Sequence, residues 1–211
     1  MNRKLNIVIA DYNLGNTYSV SNAIKHLGYN VRISLEESNL KNADVIILPG
    51  VGAFEEAIKN IKSRNLDKIL GELVLVKSKP ILGICVGMQL LANSSEENGL
   101  HEGLGWIEGH VKQIIPLNND KVPHVGWNNI KITKESKLYT NLGQDNHFYF
   151  DHKYHFVTEE KFISAQCEFG NQLITSSVQY RNIFGVQFHP EKSQRAGLKL
   201  FRGFLENVEL I

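Results

Sequence analysis

A chain of 211 residues, 42% hydrophobic and 21% charged, is long enough for one globular domain with a sizeable core and too apolar to be disordered. Its formal net charge of +1, with no block of Lys or Arg, gives no basis for a nucleic-acid or acidic-membrane partner. Two distant cysteines, Cys85 and Cys167, make no disulfide framework and stand in no zinc-ligand spacing, which points to a reducing cytoplasm.

Met1-Asn2-Arg3-Lys4 ahead of the apolar Leu5 to Ala10 has the charge order of a secretory leader, but that run is too short for one and Asp11 ends it. No stretch approaches membrane-spanning length. Leu5 to Ala10 reads instead as a first buried strand, with a turn over Asp11 to Asn16 at its carboxyl end. Tyr18, Val20, Ala23, Ile24 and Leu27 then recur at helical spacing, and Gly28 is a fitting stop. Val31 to Ile33 and Ala43 to Leu48 predict two more strands, the latter ending in the loop Pro49-Gly50-Val51-Gly52. Helical pattern returns over Phe54 to Lys62 and Leu66 to Val76. Strands alternating with helices imply an α/β fold whose parallel-sheet core is covered on both faces, with ligands at the carboxyl ends of the strands.

Ile81, Leu82 and Ile84 form a fourth, fully apolar strand that runs into Gly83-Ile84-Cys85-Val86-Gly87, followed by helical composition to Ala92. Gly-x-Cys-x-Gly has the form of a nucleophile elbow, a strained strand-to-helix bend that exposes its middle side chain. Amide groups at the start of the helix would favour a thiolate and could hold an oxyanion. A lone cysteine in apolar surroundings is otherwise a small core residue. The elbow therefore needs a base. Phe188-His189-Pro190-Glu191 supplies the candidate, since residues two apart on an extended segment share a side and Pro190 enforces the extension. A carboxylate on a histidine sets its tautomer and stabilises the imidazolium formed when it takes a proton from a thiol. Facing that pair, the Pro49 to Gly52 loop would give a second oxyanion donor.

From about Gly103 onward short β-branched and aromatic segments predict a mostly β second half attached to the first. They are Trp106 to Ile114, Ile130 to Ile132, Phe148 to Phe150, Phe162 to Ala165, Ile174 to Val178 and Ile183 to Phe188. Ser193 to Asn207 closes the chain as an amphipathic helix. No repeat or linker divides the chain, so 1–211 reads as a single domain. His124, His152 and His155 lie where they could line a pocket, His26, His101, His110 and His147 read as surface residues, and Cys167 as packing.

Together the elbow, Pro49 to Gly52 and His189-Pro190-Glu191-Lys192-Ser193 resemble the triad-type, class I glutamine amidotransferases. Asp11-Tyr12 with Gly15-Asn16, Gly103 to Trp106, Pro123 to Asn128 and Phe148 to Phe150 narrow the likeness to the glutaminase subunits of imidazole glycerol phosphate synthase, over nearly the whole chain. The resemblance implies a three-layer, flavodoxin-like α/β fold and glutamine hydrolysis without metal or organic cofactor. It assigns Cys85 as nucleophile, His189 as proton shuttle and Glu191 as its orienter. Backbone N–H groups near Val51 or Gly52 and of Val86 would hold the oxyanion, while Gln89 and the backbone at Lys153 and Tyr154 would hold the substrate's amino-acid end. Ammonia would pass to a cyclase barrel faced by Asn13, His124, Trp127, Asn128 and Lys192.

The chain departs from the family pattern at Asn13, where glycine is usual, at Val86, where leucine is common, and at Asp151-His152-Lys153-Tyr154, where Val-His-Ser-Tyr is usual. Asn13 and Asp151 to Lys153 motivate a second assignment, a paralogous glutaminase feeding a sugar amidotransferase of surface polysaccharide synthesis. A non-catalytic module on the same fold, or a cysteine peptidase, would fit the intact triad or the tight glycine-lined site less well.

Overall fold

Leu5 to Ala10 and the three apolar runs after it become the centre of one sheet. Within residues 5–117, 120–144 and 146–208, which the computed structural model describes, β1 (Ile7–Ile9), β2 (Val31–Ile33), β3 (Val45–Gly50) and β4 (Ile81–Cys85) lie parallel in the order β2-β1-β3-β4. The reading of Met1 to Lys4 falls outside the described residues. β1, β3 and β4 are buried throughout, as near-continuous apolar strands require when both faces of a parallel sheet are covered. The connecting helices are α1 (Thr17–His26), α2 (Glu37–Asn42), α3 (Phe54–Ser63) and α4 (Leu66–Gly71), the last continuing through a π turn over Glu72–Val76. Gly28 ends α1 as predicted, at φ +88° with its N–H on the Lys25 carbonyl.

The second half is mostly β, and it does more than attach to the first. β12 (Ile163–Phe169), β13 (Gln172–Tyr180) and β14 (Ile183–Val186) extend the same sheet, with β9 (Lys131–Ile132) at its edge, in the order β4-β14-β13-β12-β9. β14 runs parallel to β4, pairing Ile183 with Ile81 and Val186 with Ile84, and antiparallel to β13. The chain's late segment is thereby threaded beside the elbow strand.

Two small sheets stand apart from this one. β8 (His124–Asn129) pairs antiparallel with β10 (His147–His152), and β11 (Tyr154–Val157), β7 (His110–Gln113), β5 (Ser94–Ser95) and β6 (His101–Glu102) make the other. α6 (Gln194–Glu206) packs seven buried residues inward, including Leu200, Phe201 and Phe204. Among the described residues no helix is long and apolar enough to cross a membrane.

Several expectations shift. β3 reaches two residues into the predicted loop, pairing Pro49 with Ile84 and Gly50 with Cys85. α2 was not foreseen because of its six residues, Glu37 to Asn42, only Leu40 is buried. Tyr18, placed by its spacing on the apolar face of α1, is 77% exposed. Only His110 to Gln113 of the predicted Trp106 to Ile114 strand pairs, Trp106 and Ile107 turning back to donate their N–H groups to the Leu91 carbonyl.

Candidate active site

Cys85 sits at the end of β4 with φ 55° and ψ −111°, a region that a residue with a side chain occupies only under strain. The flanking glycines show what permits the bend. A Cβ on Gly87 would lie 1.8 Å from the Leu48 carbonyl oxygen, and one on Gly83 would lie 2.5 Å from the Gly87 oxygen. The chain therefore turns back on itself at backbone-to-backbone distance, leaving Cys85 only 4% exposed in the lining of a cavity of about 650 Å³. Here the structure corrects one expectation. The helix after the elbow, α5 (Val86–Gln89), is a single turn. Its dipole is correspondingly small, and a thiol acting as nucleophile needs a side-chain partner.

That partner is His189, held by backbone from elsewhere in the fold. Its N–H donates to the Tyr149 carbonyl at 2.8 Å. Its own carbonyl accepts from the Ser193 hydroxyl at 2.6 Å, whose oxygen accepts the Tyr149 N–H at 3.0 Å. The ring's Nδ1 lies 2.8 Å from Oε1 of Glu191, both side chains being almost fully buried. Burial alone would lower the His189 pKa, but the hydrogen bond with Cys85 and the Glu191 carboxylate outweigh it and push it up to about 10. The imidazolium form of His189 is therefore the favoured one. Asn16 Nδ2 approaches Glu191 Oε1 at 3.5 Å from the amino end of α1.

Val51, Gly52, Val86, Gln89, Lys153, Tyr154 and Lys192 all line this cavity with Cys85 and His189. Gln89 turns its Nε2 to the Tyr154 carbonyl at 3.0 Å, and His152 Nδ1 donates to the same oxygen at 2.8 Å. The Lys153 carbonyl accepts from the Ile114 N–H at 2.9 Å. Both lone pairs of the Tyr154 carbonyl are thereby used within the chain.

The five residues assigned to a partner face divide. Asn13 is exposed at φ 68°, Trp127 is 45% exposed, and Asn128 is half-buried. Lys192 is exposed over the Tyr149 ring and 3.9 Å from Asp151. His124 does not belong with them. It is 4% exposed, stacked between Phe150 and Phe169 at 4.6 and 4.2 Å, with Nδ1 3.0 Å from His152 Nε2. Strand alternation in β8 turns it inward while Val125 and Trp127 are exposed. Burial pushes the pKa values of His124 and His155 down to about 4, and burial foremost takes that of His152 to about 3.

Sequence reasoning missed Glu97, which lines the cavity while its Oε2 accepts the Phe54 N–H at the start of α3 at 2.8 Å. It also passed over Gln187, whose Nε2 is 3.7 Å from the Cys85 sulfur. Only its place next to a predicted strand end could have signalled the latter. Cys85 and Cys167 are both free thiols, and burial raises the Cys167 pKa to about 11, the wrong direction for a nucleophile.

A thiol on a strained bend, a buried histidine lining the same cavity and a carboxylate behind the histidine are the parts that acyl transfer through a thioester needs. The Glutamine amidotransferase class-I family model matches residues 8–208, and the chain belongs to that family. The fold agrees. A structure titled as a glutamine amidotransferase superposes with a TM-score of 0.75 at 20% identity, covering 96% of this chain and 98% of its own. A glutamine amidotransferase of Thermotoga maritima gives 0.66 at 17%, covering 98% and 99%.

Within the class, the similarity is to imidazole glycerol phosphate synthase subunits HisH. The HisH 2 subunit of Vibrio vulnificus (strain YJ016) is 49% identical over 98% of this chain and 96% of its own length. The HisH 1 subunit of Campylobacter jejuni (strain 81-176) is 43% identical over 94% and 98%, and HisH of Pelagibacter ubique (strain HTCC1062) 40% identical over 95% and 99%.

Proposed function

We propose that this chain hydrolyses glutamine to glutamate and ammonia as the glutaminase subunit of an imidazole glycerol phosphate synthase, in histidine biosynthesis. The Cys85 thiolate adds to the side-chain amide carbon, and N–H groups near Val51 or Gly52 and of Val86 take the oxyanion. His189 protonates the departing nitrogen as the C–N bond breaks, so ammonia leaves and a γ-glutamyl thioester remains. His189 then removes a proton from water, which attacks the thioester and releases glutamate and the thiolate. Glu191 holds the imidazole in the tautomer both transfers need. Gln89 and the backbone N–H groups at Lys153 and Tyr154 hold the amino-acid end. No step calls for a metal or organic cofactor.

The single observation that carries this reading is the buried His189–Glu191 pair at 2.8 Å, whose imidazole lines one cavity with the Cys85 thiol. Full-length relatives named as synthase subunits support the pathway and favour it over the sugar amidotransferase alternative. The proposal extends to a heterodimer in the cytoplasm with a cyclase subunit of barrel fold, which takes the ammonia across the face bearing Asn13, Trp127, Asn128 and Lys192, and to residues 1–211 acting as one amidotransferase domain. The test is Cys85→Ala, assayed with the cyclase. Glutamine-dependent synthesis should vanish while synthesis from added ammonium persists, and glutamine turnover that survives the change would remove Cys85 from its role.

A further inference from the structure

The polar groups behind Cys85 form a chain in which one carbonyl fixes the direction of every hydrogen bond. The Tyr154 carbonyl can only accept, so the Gln89 atom 3.0 Å from it is the amide nitrogen. That nitrogen also lies 3.0 Å from the side-chain amide of Gln187, which must therefore present Oε1 to Gln89 and Nε2 to the Cys85 sulfur, 3.7 Å away. Turning Gln187 over would set a carbonyl oxygen against the sulfur and an N–H against an N–H. On the other side of Tyr154, His152 Nδ1 is a donor to the same carbonyl, so its Nε2 accepts from His124 Nδ1 and His124 Nε2 accepts from Asn128, 3.3 Å away. Both histidines are thereby held neutral and in fixed tautomers.

Gln187 owes its place to the sheet. It lies one residue beyond the Val186–Ile84 pair of β14 and β4, so register sets it beside Cys85, as Gly50 is set beside Cys85 on β3. Its N–H bonds the Ser176 carbonyl at 2.8 Å, and the residue has 0% exposure, so its amide has no bulk water to turn to. No packing need accounts for a primary amide here, since an apolar side chain of equal length would fill the same volume.

We propose that Gln187 is a positioning residue that couples the nucleophile to the substrate-holding Gln89. Its N–H steadies the sulfur as thiolate, and its Oε1 holds Gln89 so that the Gln89 carbonyl oxygen is left for the cavity, an acceptor suited to the α-ammonium of an amino-acid substrate. This rests on the reading of Cys85 as nucleophile and glutamine as substrate.

The test compares the wild-type chain with Gln187→Met, of equal length without hydrogen bonds, and Gln187→Glu, which keeps the acceptor and loses the donor. Alkylation of Cys85 by iodoacetamide is followed against pH by peptide mass mapping, with Cys167 as internal reference, and glutamine kcat and KM are measured with the cyclase present. Q187M should slow Cys85 alkylation at pH 7 about tenfold, the worth of one hydrogen bond to a charged group, and raise KM several-fold. Q187E should slow alkylation at least as much while KM stays near wild type. Should the methionine variant prove unfolded, Gln187→Asn, which keeps a buried amide and draws it back by one methylene, must give the same loss. An unchanged alkylation profile and KM in a folded variant overturns the proposal. Wild-type Cys85 reacting no faster than Cys167 would instead overturn the nucleophile reading beneath it.

Discussion

The half of the molecule that carries Cys85 and the half that carries His189 are built by different physics. Cys85 is placed by short-range geometry, a strained φ and two glycines packed backbone to backbone within five residues. His189 is placed from a distance, by β14 pairing with β4 and by bonds from Tyr149 and Ser193, forty and four residues away. The lesson is that the sulfur's position fails all at once when a single atom is added, whereas the imidazole's can be loosened by degrees while the fold survives.

That contrast can be broken most severely at Gly87. Gly87→Ala puts a methyl group 1.8 Å from the Leu48 oxygen, with backbone rather than a flexible side chain as the obstacle. We expect a loss of more than about 3 kcal/mol in urea unfolding, or no folded protein. Next is Glu191→Gln, which leaves the histidine in place and removes only its charge partner. Turnover should fall about 10²- to 10⁴-fold with the fold intact.

The same variant carries a pH signature. Because the His189 pKa is raised from its ordinary 6.5 to about 10, its stabilisation is complete below pH 6.5 and is lost as pH rises toward 10. Chemical denaturation of wild type and E191Q should therefore diverge most near pH 6.5 and converge toward pH 10. Equal differences at both ends would show that the carboxylate does not govern the imidazole.

A milder loosening is Ser193→Ala, which removes the hydroxyl joining the Tyr149 N–H to the His189 carbonyl. It should cost about 2 kcal/mol in unfolding and lower kcat more than it alters KM. Smallest is His152→Asn, which keeps a donor for Tyr154 and an acceptor for His124. With its pKa depressed by burial to about 3, His152 takes up no proton in the fold as pH falls from 6.5, while the unfolded chain does. The variant should lose about 1 kcal/mol at pH 7 and show a shallower decline of stability between pH 6.5 and 4, read from urea midpoints.

The same division governs what could be read from the residues alone. β1, β3, β4 and the elbow were legible because apolar runs, glycines and a strand end are local signals. His189-Pro190-Glu191 was legible because proline fixes the extension that lets two side chains meet. The inward turn of His124 was not, since β8 alternates Val125 and Trp127 outward and nothing nearby reveals which face β10 covers. Gln187 read as part of a strand because its significance lies in register with Cys85, about a hundred residues earlier. Glu97 gave no signal at all, its carboxylate being engaged by an amide from α3. That the late strands enter the same sheet as the early ones is likewise a long-range fact, which a change in local composition hides.

The proposed function stands on a covalent bond between the Cys85 sulfur and the substrate's side-chain carbon. Acid-quenching the complex with the cyclase during turnover of isotopically labelled glutamine, then mapping peptides, tests it most directly. A hydroxylamine-labile γ-glutamyl adduct on the Cys85 peptide, absent from Cys85→Ala, is the predicted result. Continuing release of ammonia with no label on Cys85, or label retained in the alanine variant, would contradict it.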